Sequence, residues 1–274
     1  MLKRKTLIPA FVIIIGLLIS FTITLRNNYL VPILMYHYIV PDAPKSDRLT
    51  ISPRQLERQM RFLRNNHYNI VALEAIADLI RDKKKIPPKT VAITFDDGKK
   101  DNFTEAFPIL KKYNIPATMF IIVDQVGRPQ GDKMNWQEIK TMQDSGLITI
   151  GSHTLTHPLL TEVTDDGELR RQIFDSKKKL EAELGRKVNT FCYPSGRFNS
   201  RIRHLVIEAG YKLAVATNPG HRVADGDLFV LKRLRISSNT NNLLVFWLES
   251  SGYYNVIREF HKKLDNHQSA IKEY

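Results

Sequence analysis

The feature that most constrains this chain is a regular exchange of short apolar runs with amphipathic ones. "ILMY" at Ile33–Tyr36, "YNIVAL", Thr90–Phe95, "ATMFIIV", "LITIG", "TFCYP", "KLAVAT" and "LFVLKRLRIS" read as buried strands. Between them lie helices. Ser52-Pro53 opens one, "LEAIADLIRDKKK" is a second, and another runs from about Thr104 to Tyr113. "NWQEIKTMQDSG" stops at Gly146, the long "TDDGELRRQIFDSKKKLEAELG" closes at Gly185, "NSRIRHLVIEAG" follows, and a last helix starts near Asn242. Strands alternating with helices predict an α/β chain with a parallel sheet. Seven or so such units suit a distorted (β/α) barrel of about seven parallel strands better than an open sheet. In either form, sites collect at the C-terminal ends of the strands. The unusual residues stand at those ends: His37, Asp96-Asp97, His153 and Tyr193-Pro194-Ser195.

The N-terminus is different. Lys3, Arg4 and Lys5 precede an uncharged run from Leu7 to Leu25, 19 residues long. As a helix, that run is long enough to cross about 30 Å of hydrocarbon. It shows no polar face beyond Ser and Thr, and no convincing small-x-small cleavage site precedes Arg26. The expectation is a basic flank and signal anchor over 1–26, with 27–274 as an extracytoplasmic domain of a single-pass membrane protein. Cleavage of the segment would instead give a secreted protein.

Composition narrows the partners. Cys192 is the sole cysteine, so no intramolecular disulfide forms and cystine-rich ectodomain folds are excluded. The net charge is +13, and Lys3, Arg4, Lys5 and Arg26 supply four of it, leaving +9 on the domain. That charge suits solubility, anionic lipid heads or acidic wall polymers. No nucleic-acid motif occurs, and a monomer is expected.

The chemistry begins at "VAITFDDGKK". Alone, Asp96-Asp97-Gly98 reads equally well as a turn. "GSHTLTHP" changes that reading, because His153 and His157 are four apart and one helical turn brings both imidazoles to one side. Paired histidines at this spacing suit a divalent transition metal. Position 154 is Thr, so this is not the H-E-x-x-H of metalloproteases. Asp97 can supply the missing acidic ligand from another strand end, leaving Asp96 as a base. Two histidines and one carboxylate leave an open position for water, which describes hydrolysis of an amide or ester.

These residues resemble the polysaccharide deacetylases, carbohydrate esterase family four or NodB-homology domains, over about residues 33–238. Thr94-Phe95-Asp96-Asp97-Gly98 matches the family's T-F-D-D-G, and His153-Thr154-Leu155-Thr156-His157 matches H-[ST]-x-[ST]-H. The resemblance implies that Asp96 is the general base and that Asp97, His153 and His157 hold one divalent metal. Zinc comes first, with cobalt or nickel as alternatives.

Two departures stand out. Cys192-Tyr193-Pro194-Ser195-Gly196 occupies the place of R-P-P-Y-G, so a Cys replaces the Arg that orients the base. Leu231-Lys232-Arg233-Leu234-Arg235 lacks the His that protonates the leaving amine in the family pattern. His221, in "NPGHRVADGD", is the candidate replacement acid, with His37 as a candidate lining residue. The resemblance also makes Tyr193, Pro194 and Ser195 candidates for substrate binding, with Ser195 N–H in the oxyanion hole and the Tyr193 or Trp136 ring against a sugar. "ILMYHYI", "FPILKKYNIPATMFII", "YPSG" and "LKRLRIS" look like the branch of poly-N-acetylglucosamine (intercellular adhesin) deacetylases. The expected activity is N-deacetylation of N-acetylglucosamine units in a surface polysaccharide, an exopolysaccharide or peptidoglycan. An O-acetyl esterase or a catalytically weak glycan-binding protein are the alternatives.

Overall fold

Runs of apolar residues without polar alternation make strands buried on both faces, as parallel strands under helices must be. In the computed structural model these are β1 (Ile33–Tyr36), β5 (Thr90–Phe95), β6 (Ala117–Ile121), β7 (Ile148–Ser152), β8 (Thr190–Cys192) and β9 (Leu213–Ala216). Every residue of β1, β5, β6, β8 and β9 is buried. Short pieces complete the set: β2 (Tyr38–Ile39), β3 (Thr50–Ile51), β4 (Asn69–Ile70), β10 (Leu231–Lys232) and β11 (Leu234–Arg235). The structure describes residues 15–16, 20, 31–44, 47–82, 86–129, 131–217 and 227–254.

The sheet is parallel throughout and runs β9-β8-β7-β6-β5-β1, with β10 on β9 and β11 on β1. β10 and β11 are one extended stretch broken at Arg233. Its first half pairs Leu231 with Val215, and its second half pairs Leu234 with Leu34. Arg233 N–H donates to Ala216 O at 3.2 Å, and Ile236 N–H to Met35 O at 2.9 Å. That split strand brings the two sheet edges together as a near-closed barrel of seven strands, in agreement with the expected architecture. The predicted last strand is thus real but divided, because it serves two edges.

Two cores support the barrel. Ile33, Ala92, Phe120, Cys192, Val215 and Leu231 pack together with Leu73, Ile76 and Ala77 of helix Leu73–Arg81. The larger cluster lies between the strands and the surrounding helices, including Leu56, Met60 and Leu63 of helix Pro53–Asn65. Local signals set the helix ends. Ser52 caps the 53–65 helix, Asn135 and Glu138 form a reciprocal capping box, and Gly185 ends its helix at φ +64°. Gly151 is required by space, since a Cβ there would stand 2.5 Å from the Phe120 ring. Without it Phe120 could not lie where it does beneath the site.

Among the described residues, no helix is long and apolar enough to cross a membrane. The span Leu7–Leu25 lies outside the described residues except for Ile15, Gly16 and Ser20, and so does His221.

Candidate active site

The C-terminal ends of β1, β5, β7 and β8 gather the predicted residues at one mouth. Asp96 follows β5 and is 2 % exposed. Its Oδ1 accepts from Arg233 Nη1 at 2.6 Å and its Oδ2 from Arg233 Nη2 at 2.7 Å. Arg233 Nη1 also donates to Thr94 Oγ1 at 3.1 Å, Nη2 reaches Cys192 Sγ at 3.0 Å, and the guanidinium lies 5.5 Å from the Phe120 ring centroid. Burial alone would raise the Asp96 carboxyl. The charge of Arg233 and its two hydrogen bonds outweigh burial and hold it well below the usual carboxylate range. Asp96 is an aimed, ionised carboxylate.

Beside it, three donor atoms converge. Asp97 Oδ1 is 3.6 Å from His153 Nε2 and 4.0 Å from His157 Nε2, and the two Nε2 atoms are 3.1 Å apart. His153 Nδ1 donates to the Cys192 carbonyl at 2.9 Å, which leaves the Nε2 lone pair facing the cluster. Burial pushes both imidazoles down, His157 to about 4, so both are neutral at neutral pH, the form that ligates. A second group, Asp96, His153 and Cys192, is also close together. It fits a metal poorly: Arg233 occupies both Asp96 oxygens, and burial drives the Cys192 thiol far upward, so it stays protonated. The Asp97–His153–His157 set fits a divalent ion.

The loop that carries the histidines corrects one expectation. Residues 153–157 form no helical turn; they leave β7 as a tight loop with Thr154 at φ +67° and His157 at φ +68°. A left-handed β-branched residue is costly and persists only where neighbours enforce it. Here Thr154 Oγ1 accepts from His157 N–H at 2.9 Å, and Val123 N–H donates to Thr154 O at 3.1 Å. Gln172, fully buried, accepts from the Leu155 and Thr156 amides at 3.1 and 3.0 Å and donates to Thr156 Oγ1 at 2.9 Å. Asp97 is also left-handed, at φ +72°. Lys133 Nζ donates to its carbonyl at 3.0 Å, Met134 N–H to Gly98 O at 3.0 Å, and Lys99 Nζ to Asp132 Oδ2 at 2.8 Å. Residues 132–134 thereby strap the Asp97-Gly98 turn. Burial lowers the Lys133 ammonium to about 8.

His37 follows β1 directly, with its Nε2 3.8 Å from Asp96 Oδ2. Its Nδ1 is buried and has no hydrogen-bond partner among the described residues. Burial lowers its pKa below the ordinary histidine value against the pull of Asp96 and Asp97.

Tyr193 corrects a second expectation. It is 0 % exposed, stacks on Phe198 at 4.8 Å between centroids, and donates its hydroxyl to Phe229 O at 3.0 Å. Its ring belongs to the core and offers no face to a sugar. Pro194 is buried as well, and Trp136 packs half-buried against the core. Ser195, exposed at φ +54°, and Gly196 turn the chain at the mouth. A Cβ on Gly196 would come 2.2 Å from Thr217 N, so only glycine fits.

Sequence reasoning missed Arg233, Gln172 and Lys133. Arg233 enters the sequence reading only within a stretch that lacks the family's His, and its neighbours Lys232, Leu234 and Arg235 give no sign of which cation turns inward. It restores from another strand the cation absent at position 192.

With this geometry, the relatives are informative. The polysaccharide deacetylase profile matches residues 83–214. The chain is 32% identical over 206 residues to YxkH of Bacillus subtilis (strain 168), a candidate polysaccharide deacetylase, covering 75% of this chain and 71% of that one. It is 25% identical over 218 residues to the poly-beta-1,6-N-acetyl-D-glucosamine N-deacetylase of Staphylococcus aureus (strain MRSA252), covering 76% and 75%. The solved Streptococcus pyogenes deacetylase PplD, in complex with acetate, superposes with a TM-score of 0.72 at 30% identity, covering 78% of this chain and 96% of that one. A near-closed parallel barrel with acids and histidines at its mouth defines a barrel hydrolase. The chain belongs to the polysaccharide deacetylase family, carbohydrate esterase family four.

Proposed function

We propose that this chain is a metal-dependent N-deacetylase acting on N-acetylglucosamine units of a surface polysaccharide. The observation that carries the reading is the division of labour between adjacent acids. Asp97 faces two neutral imidazoles, whereas Asp96 has both oxygens taken up by Arg233, which holds it ionised. A protein that only bound glycan would have no use for that second carboxylate.

Asp97, His153 and His157 would hold the ion. A divalent metal there, zinc first, supplies Lewis-acid polarisation of the acetamide carbonyl and acidifies water, which a carboxylate as weakly basic as Asp96 requires. Asp96 takes the proton of the attacking water, its direction fixed by the guanidinium fork. The departing nitrogen must leave as an amine, so an acid must reach it. His37, whose Nε2 is 3.8 Å from Asp96 Oδ2, is our candidate for that step among the described residues. Ser195 contributes main chain at the turn where an oxyanion would sit. His221 remains the competing acid.

Homology to a poly-N-acetylglucosamine deacetylase supports the sugar, and an available acid favours amide over ester cleavage. The run Leu7–Leu25 would anchor the domain outside the membrane. The test is acetate release from matched N-acetyl and O-acetyl glucosamine oligosaccharides, with and without chelator. Chelator-sensitive release from the N-acetyl oligomer is expected. Release from the O-acetyl oligomer alone would make the chain an esterase, and release from neither a binding protein.

A further inference from the structure

The mouth carries two cations that the chemistry above does not use. Arg235 ends β11, in register with Met35. Side chains two apart on a strand share a face, so Arg235 points with Arg233 toward the barrel axis, one step nearer solvent. It is exposed, its charge reaches His37, and no carboxylate partner meets it among the described residues. Lys133 stands on the β5–β6 side, bonded to the Asp97 carbonyl. In a seven-strand ring ordered β1, β5, β6, β7, β8, β9 and β10/β11, Arg235 stands beside β1 and Lys133 at the turn that follows β5, so both border the mouth that holds the metal donors.

The nearby acids do not cancel them. Asp96 is neutralised by Arg233 and Asp132 by Lys99, and Asp97 faces the metal donors. Asp101 is tied to the Ile39 amide. A neutral glycan has no group to repay the desolvation of a free guanidinium, whereas a carboxylate or phosphodiester accepts its two-pronged donor set.

Resting on the deacetylase reading, we propose that Arg235 is a specificity residue and that the preferred substrate is an anionic glycan. The substrate would carry a carboxylate or phosphate group close to the N-acetyl sugar that is cleaved.

The test uses the full-length, metal-loaded protein with three oligosaccharides of equal length. One is neutral and N-acetylglucosamine-only, one alternates with lactyl-carboxylate sugars, and one carries a phosphodiester. The readout is the ratio of kcat/KM, anionic over neutral. At about 0.01 M ionic strength we expect about a tenfold ratio for at least one anionic glycan, vanishing near 1 M as the screening length falls from about 30 to about 3 Å. Arg235→Gln should lower the ratio by about fivefold, and Arg235→Lys should keep most of it. The higher of the two anionic ratios identifies the acidic group. Ratios of one or less for both, indifferent to salt and to Arg235→Gln, overturn the proposal while leaving the deacetylase reading intact. If no glycan loses acetate, the deacetylase reading itself has failed.

Discussion

Arg233 grips Asp96 with both prongs of its guanidinium, at 2.6 and 2.7 Å, where neither side chain is more than 3% exposed. A buried pair of this kind adds little net stability over a well-packed apolar pair, but breaking it strands a charge. Its value lies in fixing a carboxylate that would otherwise take up a proton in so dry a place.

Arg233→Met should therefore cost about 3–5 kcal/mol of stability at neutral pH, read by denaturant unfolding. Asp96→Asn keeps the shape of the pair and should retain one metal per chain while kcat falls by about 10²–10⁴. Loss of metal from Asp96→Asn would mean that the two acids have exchanged roles.

Metal binding should depend on the loop staple as well as on the donors. Alanine at Asp97, His153 or His157 should abolish stoichiometric metal, since three protein donors are few. Gln172→Ala leaves the donors in place but frees the Leu155 and Thr156 amides, so affinity should weaken by about 10–100-fold. Competition with a chelating dye measures both. Undiminished affinity in Gln172→Ala would show that the loop keeps its left-handed turn unaided.

The identity of the acid is readable from the alkaline limb of the pH–rate profile. Burial sets His37 below the ordinary histidine value, so its protonated fraction, and the rate that depends on it, falls as pH rises through that lowered value. His37→Ala should lower kcat and remove that limb. If His221→Ala does so and His37→Ala does not, the proton comes from His221 instead.

Glu249 gives a stability prediction away from the site. Burial raises its carboxyl to about 7, and its Oε2 has no hydrogen-bond partner among the described residues. The folded state then holds a proton that the unfolded chain releases near 4.5, so stability declines as pH rises from there to about 7 and stays reduced above. Glu249→Gln should raise stability above pH 7 by about 1–3 kcal/mol and flatten that decline. Equal melting of the two proteins at pH 5 and pH 8 would contradict it.

What the sequence disclosed was local. Strand–helix alternation, caps such as Ser52 and Asn135, and the two short motifs carry their meaning within a few residues, and the structure places them accordingly. Arg233 does not: it acts on a carboxylate 137 positions away, and only the register of the last strand brings them together. Gln172 was hidden for a similar reason, being a helix residue whose side chain completes another segment's backbone. The histidine spacing suggested a helix, but a periodicity of four is equally satisfied by a loop stapled at Thr154 and Gln172. Tyr193 looked like a sugar platform because an aromatic beside a motif gives no sign of which way its ring turns.

The last strand changes neighbours at Arg233, leaving β9 and joining β1, so one residue fastens the wall of the vessel and the tool inside it. Strand ends fray before cores melt. Lifting this one would open the ring and release Asp96 from Arg233 in the same movement. Activity in this protein is therefore a gauge of seam integrity. Under gentle heating or mild denaturant it should fade ahead of the helical signal, and return as soon as the seam re-forms.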